Sequence, residues 1–420
     1  MNLKFSFCGV ENSFTTLWVI FFTHHVKECF GIVNKKYLVK FPVYLDYNST
    51  TPVDKRVLEA MLPYFSEHFG NAASRTHAYG WIAEEAVNQA RDQAAKLIHA
   101  EPGEIIFTSG STEAINIALK GVYEAFHSKG NHIVTVASEH KAVLDTCKHL
   151  EKLGAHITVL PVKEDGLVDL NLLEQSIQPG TIAVAIMYAN NETGVIQPVR
   201  EIAEIIHQRG SLFLCDATQA CGKISVDVQT DRIDLLCMSA HKFYGPKGAG
   251  ALYVRRKNPR VILAPLIDGG GHEKGLRSGT LNVPAIVGFG KACEITRSEM
   301  TDDATRIESL RNELENRLLE FGNVLVNGNT THRLFNVTNL SFAGMNSNAM
   351  ILELKDIAVA TGSACSSAIP EPSHVLKAMM VKEDLAYASL RFSLGKFTTE
   401  EDILFAVKKV NDALIKLRRE

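Results

Sequence analysis

The chain has 420 residues, of which 46% are hydrophobic and 22% are charged, and its formal net charge is −3. This composition is typical of a globular protein with about two or three domains, and it excludes a strong general attraction to nucleic acid or to a membrane surface. The eight cysteines form no CxxC pair, and a chain of this length needs no disulfides, so we expect mostly buried free thiols in a reducing cytoplasm.

The first 42 residues differ in character from the rest of the chain. Residues 14–22 are mostly apolar, but this stretch is much shorter than the roughly 20 residues of a membrane-spanning helix. No small-residue cleavage site follows it, and the first arginine is Arg56, which argues against a secretory or a mitochondrial targeting segment. We expect residues 1–42 to be an accessory or poorly ordered extension without an assigned function.

From Val43 onward, short apolar runs alternate with segments of helical periodicity. Strands are predicted at 43–47, 105–107, 133–136, 157–160, 182–186, 212–214, 235–238 and 250–254. Helices are predicted over 83–100, 113–129, 142–153 and 199–208. This alternation predicts a mainly parallel sheet that helices cover on both faces, with the ligand site beyond the carboxyl ends of the strands.

The pattern changes at about residue 299. A charged helix over 305–320, apolar runs at 335–342 and 352–359 and an amphipathic helix over 400–417 follow. We therefore expect an α/β protein with a large domain, 55–298, and a smaller α+β domain that combines residues 43–54 with 299–420.

Two polar side chains that follow apolar strands carry the first chemical signal. Lys242 comes after a predicted strand, next to Ser239 and His241 and before a Gly/Pro-rich turn. An amine at such a place can form an imine with an aldehyde cofactor. Asp216 ends another strand, where a carboxylate can pair with a protonated pyridine nitrogen. Alone, such a lysine is more often a surface residue and such an aspartate more often a helix cap.

Further polar residues lie at the ends of neighbouring strands. Ser111 and Thr112 begin a helix, where free backbone N–H groups bind phosphate, although the same residues also fit a simple capping box. Gln219 could donate to a ring oxygen, and the imidazole of His140 could stack on a ring, although a lone histidine is usually structural. Phosphate, pyridine, amide and lysine chemistry therefore meet at one edge of the predicted sheet.

These segments resemble the PLP-dependent cysteine desulfurases of iron–sulfur cluster biosynthesis, in the class V aminotransferase family. The matching stretches are 44–52, 70–74, 108–113, 139–144, 190–194, 216–219, 239–242, 277–280, 362–367 and 391–395. The resemblance extends from about Val43 to the C terminus, and its loop around Cys365 matches the branch with a long mobile catalytic loop. It implies the α/β, aspartate-aminotransferase-like fold (type I) and pyridoxal 5′-phosphate (PLP) as cofactor.

The resemblance also implies a role for each matching residue. Lys242 is expected to hold PLP as a Schiff base, Asp216 to bind the pyridine nitrogen, and His140 to stack on the ring and take part in catalysis. The expected cofactor-binding residues are Ser111, Thr112, His140, Asn191, Asp216, Gln219, Ser239, His241, Lys242 and, for the phosphate, Thr280 of the partner subunit. This last contact implies a homodimer. Arg391 and Asn191 are expected to bind the substrate, because a guanidinium fork suits a carboxylate.

Cys365 lies in a stretch of Gly, Ser, Ala and Thr residues. A lone cysteine is usually an inert thiol, but the resemblance makes Cys365 the nucleophile that takes sulfur from L-cysteine as a persulfide and leaves L-alanine. It implies an iron–sulfur scaffold protein or another sulfur acceptor as partner. No intrinsic metal site is expected, although Cys365 could transiently ligate a nascent iron–sulfur cluster. Three alternatives stay open: a selenocysteine lyase, a PLP aminotransferase with an idle Cys365, and a silent PLP-binding scaffold.

Two features depart from the family pattern. Residues 1–42 precede the point at which relatives usually begin, and the chain ends at Glu420, inside or just after the final helix. Many members of the branch continue into a tail that contacts the scaffold protein, so docking to a scaffold stays open. We expect a cytoplasmic protein that binds neither nucleic acid nor membrane.

Overall fold

The computed structural model describes residues 42–361 and 372–418. The described residues from Val43 onward belong to one compact unit of the chain. The predicted extension, apart from Pro42, lies outside the described residues. No helix in the described ranges has both the length and the hydrophobicity needed to cross a membrane.

The strands are numbered in chain order. They are β1 (Val43–Tyr44), β2 (Ile105–Thr108), β3 (His132–Val136), β4 (His156–Leu160), β5 (Thr181–Ala185), β6 (Leu212–Asp216), β7 (Leu235–Ser239), β8 (Gly250–Val254), β9 (Val324–Val326), β10 (Val337–Phe342), β11 (Ile357–Ala358) and β12 (Ser389–Ser393).

The α-helices are numbered in the same way. They are α1 (Lys55–Met61), α2 (Pro63–Ser66), α3 (Ala78–Leu97), α4 (Ser111–Phe126), α5 (Lys141–Glu151), α6 (Leu170–Ser176), α7 (Val199–Gln208), α8 (Val283–Leu319), α9 (Ser347–Glu353), α10 (His374–Ala378), α11 (Glu383–Tyr387) and α12 (Glu400–Leu417).

The large sheet has the strand order β2-β8-β7-β6-β5-β3-β4. Strands β4, β3, β5, β6 and β7 are parallel, and β8 runs antiparallel to both β7 and β2. Apolar side chains cover both faces: Val184 and Phe213 pack in the core on one side, and Ala183 and Leu214 pack in the core on the other. Burial of both faces explains why these strands are continuous apolar runs rather than alternating ones. The predicted mainly parallel sheet is confirmed.

A small antiparallel sheet, β12-β10-β9, lies over a third core. Helix α8 connects this core with the first one, because Phe289 belongs to the first core and Leu314 to the third. The predicted helix 305–320 is thus the C-terminal part of a helix of 37 residues, and the proposed boundary between residues 298 and 299 falls inside it. Leu45 also packs in the third core, which is consistent with the proposed grouping of residues 43–54 with the C-terminal part.

Candidate active site

An open pocket of about 740 Å³ lies at the carboxyl ends of the parallel strands. Ten of the twelve side chains expected in the site line it, namely Ser111, Thr112, His140, Asn191, Asp216, Gln219, Ser239, His241, Lys242 and Arg391. The other two are Thr280, which is exposed and not among the lining residues, and Cys365, which lies outside the described residues. Thr280 was expected to act in a partner subunit's site.

The start of α4 forms one end of the pocket. Gly110 precedes it with φ 153°, and no side chain of the described residues caps the helix, so backbone N–H groups of the first turn lack a capping partner there. The hydroxyls of Ser111 and Thr218 form a hydrogen bond of 2.6 Å. Nδ1 of His241 forms a hydrogen bond of 3.1 Å with Oγ1 of Thr50. Burial, and then Lys242, lower the pKa of His241 to about 4, so this imidazole is neutral at neutral pH.

Lys242 projects into the pocket from the short 3₁₀ turn Ala240–Lys242 that follows β7. Its Nζ donates to the backbone carbonyls of Asn48 and Ser49, both at 2.7 Å. Desolvation by burial, and then Arg391, lower the pKa of Lys242 to about 8, against the opposing effect of Asp216 and Asp46. A lysine with such a pKa is a neutral amine more often than a surface lysine is, as formation of an imine requires.

Asp216 is the last residue of β6 and is 7% exposed. Its Oδ1 accepts hydrogen bonds from the backbone N–H of Thr218 at 3.0 Å and from the Thr218 hydroxyl. These bonds fix the carboxylate at the end of the strand, where it faces the pocket beside Gln219.

His140 precedes α5 and caps it. The backbone N–H of Ala142 donates to its Nδ1 at 3.1 Å, so a neutral ring carries its proton on Nε2. The ring is exposed on the pocket side, and desolvation lowers its pKa. A flat, mostly neutral ring at this wall can lie against a planar cofactor.

Arg391 lies on β12, in the small sheet, and reaches the same pocket. Its Nη1 donates to the carbonyl of Asn191 at 3.0 Å, and its Nη2 pairs with Asp46 at 2.5 Å. Within the described part of the chain, its buried Nε has no hydrogen-bond partner. The guanidinium is therefore held in place and still has donors for an anion.

The sequence patterns did not identify every residue of the pocket. Asn48 is almost fully buried, and its carbonyl accepts hydrogen bonds from both Gln219 and Lys242. Thr218 bridges Ser111 and Asp216. Asn48 lies within the matching stretch 44–52, but its tertiary contacts leave no local signal in the sequence.

The donor set fits PLP. Free helix N–H groups suit a phosphate, the fixed Asp216 carboxylate suits a protonated pyridine nitrogen, and Lys242, with its lowered pKa, suits an aldehyde. All three lie around one pocket of sufficient volume.

The model of the family described as aminotransferase class-V matches residues 43–405. The chain belongs to the class-V aminotransferase family. This family uses PLP, so the expected cofactor is confirmed.

Proteins related to this chain are similar to it in sequence and in structure. The protein named cysteine desulfurase IscS of Anaeromyxobacter sp. (strain Fw109-5) is 53% identical over 381 residues, which cover 90% of this chain and 94% of that protein. The solved structure of a NifS-like protein matches with a TM-score of 0.84 and 39% identity, over 90% of this chain and 100% of that one. The structure of SspA in complex with cysteine matches with a TM-score of 0.76 and 36% identity, over 85% of this chain and 100% of that one. The expected family and fold are confirmed.

Proposed function

We propose that this chain is a cysteine desulfurase that converts L-cysteine to L-alanine and takes the sulfur onto Cys365 as a persulfide. The convergence of ten expected side chains around Lys242 in one pocket carries this proposal. The similarity to cysteine desulfurases at 53% identity supports it. The position of each polar group in this pocket suggests its role in the reaction.

Bound PLP supplies an electrophilic aldehyde carbon and a conjugated ring that withdraws electrons from the α-carbon of an amino acid. Lys242 would hold this cofactor covalently through Nζ, and the same amine would act as the base that removes the α-proton of the substrate. Its pKa of about 8 makes it an effective base near neutral pH. Asp216 would stabilise a protonated pyridine nitrogen, because its carboxylate lies fixed at the end of β6.

The remaining polar groups orient the cofactor. The first turn of α4, with Ser111 and Thr112, would bind the phosphate together with Ser239 and His241. Gln219 and Asn191 would contact the ring oxygen. His140 would pack on the ring and could relay protons through Nε2, because its Nδ1 accepts from the backbone.

Substrate recognition falls to the small sheet. Arg391 binds the carboxylate of cysteine through its free N–H groups, and Asn191 assists it. The buried pair with Asp46 holds the guanidinium in one orientation, so less side-chain entropy is lost when the substrate binds.

The burial of the other thiols supports Cys365 as the nucleophile. Of the six cysteines within residues 43–405, five are buried: Cys147, Cys215, Cys221, Cys237 and Cys293. Burial raises the pKa of each of them, in Cys147 to about 12. A nucleophile must be an accessible thiolate, so none of these five suits the reaction. Cys365 is the sixth.

The chain on both sides of residues 362–371 lies beside the pocket. Ala360 accepts a backbone hydrogen bond of 2.7 Å from the N–H of Arg391. On the other side, Nε2 of His374 donates to the carbonyl of Glu139 at 2.9 Å, next to His140. The segment that contains Cys365 therefore starts and ends near the proposed substrate position.

The sulfur transfer balances without a further reagent. The Cys365 thiolate attacks the sulfur of the bound substrate, a sulfur–sulfur bond forms, and the carbon–sulfur bond breaks with its electron pair going to carbon. Proton delivery to that carbon gives alanine. Cysteine and the Cys365 thiol thus become alanine and a persulfide.

A homodimer is the proposed assembly. Large apolar side chains are exposed from α2 to the first turn of α3, including Phe65, Phe69, Tyr79 and Trp81, which are 52–64% exposed. Exposed apolar groups of this size mark protein–protein contacts. The exposed position of Thr280 is consistent with its proposed contact to the phosphate in the partner's site.

The proposed destination of the sulfur is iron–sulfur cluster assembly or another sulfur acceptor, in the cytoplasm. Cys365 would pass its persulfide sulfur to a scaffold protein and could transiently contact the nascent cluster as cargo. This proposal rests on the family of relatives and on the single thiol assigned to the transfer.

One experiment tests the function. The PLP-loaded protein is incubated with L-cysteine, alanine is quantified, and Cys365 is analysed by mass spectrometry for added sulfur. We expect alanine and a persulfide in equal amounts on the first turnover. A keto acid would favour an aminotransferase, turnover of selenocysteine alone would favour a selenocysteine lyase, and no turnover of either would favour a silent scaffold.

A further inference from the structure

We infer that Lys223, a buried lysine outside the cofactor pocket, is a positioning residue that fixes the side-chain amide of Gln219 and thereby sets how firmly Lys242 Nζ holds a proton. The inference deepens the proposed function, because it rests on the proposed roles of Gln219 and Lys242. Lys223 is four residues from Gln219 and does not line the cofactor pocket.

The contacts of Lys223 are few. Its Nζ donates to the side-chain oxygen Oε1 of Gln219 at 2.7 Å and to the backbone carbonyl of Gln219 at 3.2 Å. The residue is 7% exposed, and it forms no ion pair with any described residue. An unpaired buried ammonium is costly, so overall stability does not explain why a lysine is placed here.

The lysine removes an ambiguity in Gln219. A side-chain amide has an acceptor end and a donor end of similar shape, whereas an ammonium group only donates. Oε1 must therefore face Lys223, and Nε2 faces the other way, where it donates to the carbonyl of Asn48 at 2.9 Å. The second N–H of Nε2 is left as a donor for the pocket. A partner that only donates and a partner that only accepts thus hold the amide from both ends, and loss of Lys223 would remove one of the two.

The same hydrogen bonds reach the proposed catalytic lysine. The carbonyl of Asn48 accepts from Nε2 of Gln219 and from Nζ of Lys242, the latter at 2.7 Å. When Nε2 of Gln219 donates to the Asn48 carbonyl, it competes with Nζ of Lys242 for the lone pairs of that oxygen. Hydrogen bonds in such a buried chain influence one another, so the orientation of Gln219 affects the proton on Lys242.

The charges around Lys223 also affect how firmly Lys242 holds a proton. Burial, and then the charge of Lys242, lower the pKa of Lys223 to about 7; Cys221 acts against this shift, and Arg391 adds to it. Lys223 and Lys242 both line a narrow cavity, whose other charged lining residues are Asp54, Glu299, Asp303 and Lys396. The positive charges of Lys223 and Lys242 repel each other, which opposes a proton on both amines at once.

The test is a pH titration of the visible absorbance of the PLP-loaded protein without cysteine, in the wild type and in Lys223→Met. Methionine has a similar length but neither donors nor charge. The midpoint of this titration should rise by about one pH unit, because a nearby positive charge is lost and the Gln219 amide is held less firmly. Lys223→Gln, which keeps a neutral donor, should shift the midpoint less.

A double-mutant cycle separates this route from a general structural effect. In a Gln219→Leu background, Lys223→Met should shift the midpoint less than in the wild type, since no amide remains to be oriented. Equal shifts in both backgrounds, or no shift in the wild-type background, would overturn the inference. The melting temperature of Lys223→Met should not fall, because a buried unpaired charge is removed, and a large fall would indicate a merely structural lysine.

The titration uses neither cysteine nor Cys365, so its outcome is independent of desulfurase activity. A wild-type protein that releases no alanine from cysteine but shows the expected shift would refute the proposed function and retain the inference. A protein that releases alanine from cysteine, but whose absorbance midpoint does not change in Lys223→Met, would support the proposed function and refute the inference.

Discussion

Nη2 of Arg391 lies 2.5 Å from Oδ1 of Asp46, so the guanidinium proposed to bind the substrate is already paired with a carboxylate. The pair joins the small sheet to the segment that follows β1. Arg391 is 8% exposed, and a buried arginine without its acid would be costly. The pair therefore maintains a cation at the pocket and still leaves further N–H groups of the guanidinium for a carboxylate.

Replacing Arg391 by lysine should weaken substrate binding more than it slows the chemistry. Lysine keeps the charge but loses the planar fork, and a lost charged hydrogen bond costs about 1.5–3 kcal/mol, so KM for cysteine should rise roughly 10–100-fold. The visible absorbance of bound PLP should be unchanged. Arg209→Lys, at an exposed ion pair, is the matched control. An unchanged KM would show that another group binds the carboxylate.

Lys242→Ala should abolish both covalent attachment of PLP and turnover. The side chain lost is the amine that reaches the pocket from the turn after β7. Borohydride reduction followed by peptide mapping measures the attachment, and Lys408→Ala on the exposed face of α12 is the control. A reducible PLP adduct on a different lysine of the Lys242→Ala protein would refute the assignment.

Asp216→Asn should leave a folded, PLP-binding protein whose activity on cysteine is at least about 100-fold lower. The amide keeps the shape of the carboxylate and its bonds to Thr218, but it cannot stabilise a protonated pyridine nitrogen. The measurement is kcat for cysteine, and Asp412→Asn on the surface of α12 is the control. Near-normal kcat would mean that another group holds the ring nitrogen.

The sequence predicted that these side chains come together, because the carboxyl ends of parallel strands meet at one edge of a sheet. Asp216, Lys242 and Asn191 each follow a continuous apolar run, and buried parallel strands produce such runs. Strand order was not needed to infer that these residues come together.

Features that depend on contacts across the chain could not be predicted in this way. Asn48 meets Gln219 and Lys242 across more than 170 residues, and Lys223 acts only through Gln219. The length of α8 was also missed. Gly290 is suited to close contact between α8 and α3, since a Cβ there would lie 2.5 Å from Cα of Ala90, but in a sequence such glycines argue against a helix.

The stability of the apoprotein should depend on pH through Lys223. Its pKa is about 7 in the folded protein, against the ordinary value of 10.5. Between these values the unfolded chain binds more protons, so the free energy of unfolding contributed by this group rises with pH, by about 1.4 kcal/mol for each pH unit.

Lys223→Met should therefore be more stable than the wild type at pH 7, and the difference should shrink as the pH rises towards 10. Urea unfolding of both apoproteins at several pH values measures it, with Lys408→Met as the control for an exposed lysine. A difference independent of pH would show that Lys223 titrates normally.

Cys365→Ala is the prediction that separates the desulfurase from its alternatives. PLP binding should survive, because none of the pocket groups that surround Lys242 changes. Alanine formation from cysteine and the protein persulfide should disappear together, since no other thiol within the family match is accessible. Selenocysteine could still be cleaved slowly, because selenium leaves more readily than sulfur. Cys293→Ala, which removes a buried thiol, is the control and should retain both products. If Cys365→Ala produced alanine at the wild-type rate, the thiol would not be the nucleophile, and a lyase or an aminotransferase would be the better description.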